Sequence, residues 1–91
     1  MTKRIHVYFS GHVQGIGFRY SVKQLSLEFE VTGWVKNLPD GRVEMVAEGV
    51  NSELEAFQSG IPDAGLRRFI HKTDSNWSQG TGEFKGFEIV R

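Results

Sequence analysis

The chain has 91 residues, of which 38% are hydrophobic, and its eleven Lys and Arg residues balance eleven Asp and Glu residues. This length supports one hydrophobic core, so we expect a single domain over residues 1–91. The charge balance gives no broad positive field for nucleic acid or for an anionic membrane. The absence of cysteine excludes disulfides, thiolate nucleophiles and cysteine metal sites. No apolar run approaches the roughly 20 residues that cross a bilayer, and no secretory signal is present, so we expect a cytoplasmic protein.

The first two predicted elements are a strand and a helix. Apolar and more polar residues alternate over residues 4–10, which predicts a strand with one buried face. Further on, apolar residues at helical spacing predict an amphipathic helix that lies on the sheet: Phe18, Val22, Leu25 and Phe29. Tyr20 and Leu27 fall on the opposite side of this helix. They are either partly exposed or packed against a loop, and the pattern leaves both readings open.

A β-hairpin follows. We expect strands over residues 32–37 and 42–48, joined by a tight turn that contains the proline and glycine of residues 38–41. Trp34 lies on the first of these strands, and we expect it to be a core residue, with a wall of the functional site as the alternative.

The second half of the chain is predicted with weaker patterns. Ser52 and Glu55 have the spacing of a capping box, which predicts the start of a second helix that Gly60 and Pro62 end. We expect a strand over residues 66–74 whose buried face is ambiguous, a polar loop over 75–82 that carries Trp77, and a last strand over 84–90.

The predicted order is strand, helix, two strands, helix, strand, with one further strand at the C-terminus. This order is typical of an α+β, ferredoxin-like split βαβ fold, in which two helices cover one face of a mostly antiparallel sheet. The fold hosts many unrelated functions and does not by itself indicate a chemistry.

The chemical signal lies in residues 11–19, GHVQGIGFR, between the first strand and the first helix. The three glycines allow consecutive backbone N–H groups to converge, and the start of a helix adds partial positive charge. Arg19 adds a full charge, and its planar guanidinium matches two oxygens of a phosphate. The sequence therefore predicts an anion site, most simply for a phosphate group.

Two segments resemble the signatures of the acylphosphatases, which hydrolyse the carboxyl-phosphate bond of acyl phosphates. They are residues 11–19 and residues 33–44, GWVKNLPDGRVE, and the closing GFEI of residues 86–89 also resembles the last strand of that family. The similarity is strong over residues 4–49 and weak over 50–85. The resemblance implies that Arg19 binds the substrate phosphate and that Asn37 holds the attacking water.

The resemblance also implies that the backbone amides of the loop complete a phosphate cradle: Val13, Gln14, Gly15, Ile16, Gly17 and Phe18. Two positions depart from the family pattern. Ile16 replaces a commoner valine and is expected to alter only packing. Glu30 stands where the family often has a glycine at the end of the first helix, and a left-handed conformation there would cost about 1 kcal/mol.

Such a reaction needs few catalytic groups. An acyl phosphate leaves as a carboxylate whose conjugate acid has a pKa of roughly 4, so the leaving oxygen requires no proton from the enzyme. The remaining tasks are to hold the phosphoryl group and to aim a water in line with the leaving group. Our hypothesis is that the proton of this water passes to an oxygen of the substrate phosphate.

We expect no metal or other cofactor, because the three histidines, His6, His12 and His71, have no ligand-like spacing. Gln14 is expected to brace the loop. The expected partner is a small acyl phosphate, with no nucleic acid and no membrane, and the expected state is a monomer. Two alternatives remain: a nucleic-acid binder that stacks bases on sheet aromatics, and a regulatory domain that retains an anion site but transfers nothing.

Overall fold

The computed structural model describes residues 2–91. Its strands are β1 (Lys3–Gly11), β2 (Thr32–Asn37), β3 (Val43–Gly49), β4 (Ile70–Gln79) and β5 (Phe87–Ile89), and its helices are α1 (Phe18–Ser26) and α2 (Asn51–Ile61). A π-type turn (Pro62–Leu66) and a 3-10 turn (Arg67–Phe69) join α2 to β4. The five strands form one sheet in the order β4-β1-β3-β2-β5, and only the β2–β5 pair is parallel. The predicted ferredoxin-like α+β fold is confirmed.

The core lies between one face of the sheet and the two helices. Alternate residues of β1 are fully buried there, as the sequence predicts, and they join one cluster with buried residues of both helices: Ile5, Val7, Phe9, Phe18, Val22, Leu54 and Phe57. Leu25 and Phe29 are partly buried against this cluster as predicted, but α1 ends at Ser26, so Phe29 lies in the turn that follows and not on the helix. Tyr20 and Leu27 are 63% and 72% exposed, so of the two readings left open, exposure is the observed one.

Trp34 is not a core residue, and that prediction is wrong. Trp34 pairs with Val46 across the β2–β3 ladder, and its neighbour Val35 is the buried residue. Successive side chains of a strand point to opposite faces, so Trp34 lies on the face of the sheet that the helices do not cover. Its ring is half-buried there, with the Lys36 Nζ 5.5 Å from the ring centroid.

The fourth strand differs most from the prediction. Residues 66–69 are helical turns, and Leu66 is buried, so the strand begins at Ile70 and not at residue 66. Residues 75–79, predicted as loop, continue the strand, and Trp77 pairs with Ile5 of β1. β4 is an edge strand whose side chains are largely exposed on both faces, so its sequence lacks the apolar alternation of a strand with one buried face. The last strand is also shorter than predicted, with Phe87–Ile89 in place of 84–90.

The ends of the two helices correct three further predictions. The N-cap of α2 is Val50, without a side-chain cap, so Ser52 does not form a capping box. The helix passes through Gly60 and ends at Ile61, before Pro62. A Cβ at Gly60 would lie 3.3 Å from Leu25 Cδ2, so this glycine allows close contact with α1. In residues 2–91 no residue other than glycine has a positive φ, so Glu30 carries no left-handed strain.

Candidate active site

The loop between β1 and α1 has the geometry of an anion cradle. Gly15 and Gly17 both have φ of 79°, in the left-handed region that favours glycine, and Gly17 is the N-cap of α1. Val13 is 1% exposed and fixes the loop to the core. In the described chain, the backbone N–H groups of residues 13–17 donate no hydrogen bond to a backbone carbonyl. They are therefore available to a ligand, and they lie at the N-terminal end of α1, which favours negative charge.

Arg19 lies in the first turn of α1 and is half-buried. Within residues 2–91 its guanidinium has no hydrogen bond or ion pair with another side chain, and the first turn holds no acidic residue. A cation at a helix N-terminus opposes the helix dipole. The position of Arg19 is unfavourable for the protein alone and becomes favourable when an anion binds between the guanidinium and the helix.

Asn37 is the last residue of β2 and lies beside this loop. Its Oδ1 is the one buried side-chain polar atom in the described chain that has no hydrogen-bond partner. Burial of an unsatisfied carbonyl costs about 1–3 kcal/mol, and such a cost in a native structure needs an explanation. A bound water or substrate that donates a hydrogen bond to Asn37 Oδ1 would supply the partner.

The side chain of Gln14 joins the two parts of the site. Its Nε2 donates hydrogen bonds to the backbone carbonyls of Leu38, at 2.8 Å, and Arg42, at 2.9 Å. These two carbonyls belong to the β2–β3 turn that directly follows Asn37. Gln14 therefore braces the loop, as the sequence predicts, and it fixes the loop relative to the strand that carries Asn37.

A cavity of about 160 Å³ unites these elements, and it is lined by Val13, Gly15, Gly17, Phe18, Arg19, Tyr20, Asn37 and Ile89. The space is far larger than the roughly 15 Å³ that one water requires. Six of the eight predicted site residues line it, and the other two do not. Gln14 points to the turn, and Ile16 is 36% exposed on the loop. The ring of Phe18 is buried and packs on Phe9.

Tyr20 and Ile89 also line the cavity, although the sequence did not predict them as site residues. For Tyr20 a signal was present, because a large aromatic residue stands off the apolar stripe and directly follows Arg19. Ile89 comes to the site through the parallel pairing of β5 with β2, where it lies opposite Val35. A contact of this kind depends on the sheet order and has no local signature in the sequence.

The electrostatics of the cavity are simple. Arg19 is the one charged residue among its lining residues, and no carboxyl or imidazole group is among them. Within residues 2–91 no group of three or more His, Cys, Asp or Glu residues could hold a metal ion. His12 is exposed and faces His71, with 6.0 Å between the ring centroids, and neither lines the cavity. The arrangement can bind an anion and orient a neutral molecule beside it.

Comparisons with known proteins agree with this geometry. The acylphosphatase family model matches residues 5–89. An acylphosphatase from Trichormus variabilis is 54% identical over 88 residues, which cover 97% of this chain and 86% of that protein. One from Roseiflexus sp. is 41% identical over 87 residues, which cover 96% and 94%. The crystal structure of acylphosphatase from Bacillus subtilis gives a TM-score of 0.90 at 31% identity and covers 98% of this chain and 99% of that chain.

The chain belongs to the acylphosphatase family. The prediction of a hydrolase of this family, made from two short signatures, is thereby confirmed over almost the whole chain. No helix within residues 2–91 has the length and apolar character that a bilayer span requires.

Proposed function

We propose that Arg19 and the loop amides hold the phosphoryl group of an acyl phosphate while Asn37 orients the water that attacks it. The observation that carries this proposal is the buried, unpartnered Asn37 Oδ1 in the same cavity as the unpaired Arg19. The Asn37 Oδ1 lacks a hydrogen-bond donor, and the Arg19 guanidinium lacks an anionic partner. A phosphoryl group with a water beside it provides both.

The chemistry follows from the groups present. The Oδ1 of Asn37 accepts a hydrogen bond from the water, whose lone pair then attacks phosphorus in line with the bond to the carboxylate. That P–O bond breaks, and its electron pair leaves with the carboxylate. The water proton passes to a phosphate oxygen of the substrate, since no carboxyl or imidazole group lines the cavity. Arg19 and the loop amides stabilise the charge on the phosphoryl oxygens.

We also infer the setting in which the enzyme acts. The domain is a monomer that spans residues 1–91, acts in the cytoplasm on small acyl phosphates, and uses neither a metal nor nucleic acid. Support for the absence of nucleic acid comes from the face of the sheet that the helices do not cover. The Glu44 carboxylate lies there 2.6 Å from His6 and 4.0 Å from Lys36, so it offsets the positive charge of Lys36 that could attract a nucleic-acid backbone.

The test is hydrolysis of benzoyl phosphate by the wild-type protein, Arg19→Ala and Asn37→Ala, each with and without a metal chelator. We expect the chelator to have no effect. Arg19→Ala should lose both phosphate binding and turnover, whereas Asn37→Ala should lose turnover by about 10²-fold or more and still bind inorganic phosphate.

Two exposed residues provide matched controls. Arg67 pairs with Asp63 on the surface, and Asn76 lies on β4, so Arg67→Ala and Asn76→Ala should keep wild-type turnover. Equal activity in all variants would remove Arg19 and Asn37 from the mechanism. Loss of turnover on removal of a nearby carboxylate would contradict the proposed proton transfer.

A further inference from the structure

An exposed aromatic residue stands at the mouth of the phosphate cavity. Tyr20 is 63% exposed and directly follows Arg19 on α1, and it lines the cavity without belonging to the core. In residues 2–91 Tyr20 is the one aromatic side chain that is exposed beside this cavity, since the ring of Phe18 is buried. A phenol ring in water beside a binding site offers a flat apolar surface with little conformational entropy to lose.

A second cavity shares one lining residue with the first and lies along α1, next to the π-type turn that contains Ala64. Its volume is about 290 Å³, and its lining residues are Tyr20, Ser21, Gln24, Leu25, Glu28 and Ala64. Tyr20 is the residue that lines both cavities. The two spaces are therefore adjacent at Tyr20, which lies between the phosphate cradle and the groove along the helix.

The geometry of in-line attack assigns a direction to this groove. The leaving carboxylate departs on the side of phosphorus opposite to the attacking water. Asn37, which orients the water in the proposed mechanism, lies on β2, and no residue of β2 lines the second cavity. The groove beyond Tyr20 thus leads away from β2 and from the water that Asn37 orients, and it offers the acyl group a place on the opposite side of phosphorus.

We propose that Tyr20 is a specificity-determining residue that binds the acyl half of the substrate. Its ring packs against an aromatic or extended apolar acyl group, and the groove along α1 accommodates the remainder of that group. The enzyme then prefers acyl phosphates of this class to acetyl phosphate, which is too short to cover the ring. This inference rests on the phosphate cradle proposed above.

The test compares benzoyl phosphate with acetyl phosphate in Tyr20→Ala and Tyr20→Phe. We expect Tyr20→Ala to lower the ratio of the two kcat/KM values about threefold to tenfold, mainly through a higher KM for benzoyl phosphate, as one aromatic contact would. Tyr20→Phe keeps the ring and should restore the wild-type ratio. Leu27→Ala serves as the control, because Leu27 is the C-cap of the same helix, is exposed and lines neither cavity.

Inhibition by inorganic phosphate separates the two halves of the site. In Tyr20→Ala, the inhibition constant of phosphate should change far less than the KM for benzoyl phosphate, because phosphate has no acyl group to contact the ring. An unchanged ratio of the two substrates in Tyr20→Ala would overturn the inference while the phosphate cradle stands. A wild-type protein that hydrolyses neither substrate would instead overturn the proposed function.

Discussion

Arg4 and Arg19 lie near opposite ends of β1, and their surroundings differ in one respect. Arg4 is satisfied by the protein: its Nε donates to Glu48 at 2.7 Å, and its Nη2 pairs with Glu83 and contacts Thr81. Arg19 has no such partner in residues 2–91 and lines a cavity. The first guanidinium holds a loop to the sheet, and the second is the one that we propose binds the substrate phosphate.

The carboxyl and amide groups of the two regions show the same contrast. Glu48 is 3% exposed and accepts hydrogen bonds from Arg4 and from the backbone of Thr81 and Gly82. Asn37 buries an oxygen that accepts none. Both the Glu48 carboxyl group and the Asn37 Oδ1 are buried, so burial alone does not indicate function. The missing partner distinguishes the site from the structural cluster.

The largest expected effect comes from replacing each of the two arginines by alanine in separate variants. Arg19→Ala should reduce turnover by about 10³-fold or more and leave the free energy of unfolding within about 0.5 kcal/mol of the wild type, because no protein contact is lost. Arg4→Ala should do the reverse, with near wild-type turnover and a stability loss of about 1–2 kcal/mol, because Glu48 loses its ion pair. Urea unfolding and benzoyl phosphate hydrolysis measure both. If Arg19→Ala lowered the free energy of unfolding as much as Arg4→Ala, the distinction between a structural Arg4 and an unpaired Arg19 would be wrong.

A smaller effect is expected at Gln14, which joins the loop to the β2–β3 turn. Gln14→Ala removes both hydrogen bonds to Leu38 and Arg42. Because Asn37 then sits less firmly beside the loop, we expect kcat to fall about tenfold and the affinity for inorganic phosphate to change little. Gln58→Ala is the matched control, since Gln58 on α2 donates a hydrogen bond to Ser75 on β4 and does not line the cavity. A larger change in phosphate affinity than in kcat would show that Gln14 acts on the cradle.

A last effect, on stability alone, concerns its pH dependence. Burial alone would raise the pKa of Glu48, but hydrogen bonds from the backbone of Gly82 and Thr81 and from Arg4 outweigh it and lower the pKa from 4.5 to about 2. The stabilisation by Glu48 is therefore complete above pH 4.5 and is lost as the pH falls through 2. Glu48→Gln should cost on the order of 2 kcal/mol at pH 7 and should flatten the stability curve between pH 4.5 and 2. If the stability of Glu48→Gln fell as steeply between pH 4.5 and 2 as that of the wild type, the acid-induced loss of stability would be due to other carboxyl groups.

The sequence predicted the first half of the molecule well because local patterns determine it. The alternation around Val7, the stripe that begins at Phe18 and the turn before Arg42 each encode one element, and the two signatures encode the loop and the strand that meet at the cavity. The roles of Arg19 and Asn37 remain predictions. The sequence did predict that Arg19 and Asn37, which are 18 positions apart, lie at one site, and both line the cavity.

The failures in the sheet have different physical causes. The polar residues 75–79 gave no strand pattern, because β4 is an edge strand with exposed side chains. Trp34 was assigned to the core because it lies on a strand beside Asn37, whereas the alternation of β2 buries Val35. Ile89 reaches the cavity through sheet order, which no local pattern encodes.

The most direct test of the account is a crystal structure of the protein with bound phosphate. We predict phosphate in the cavity between the Arg19 guanidinium and the N–H groups of residues 13–18, with a water that donates a hydrogen bond to Asn37 Oδ1 and faces phosphorus. An empty cavity at saturating phosphate, or an Arg19 side chain turned away from it, would contradict the claim that this loop and one guanidinium bind the reacting group.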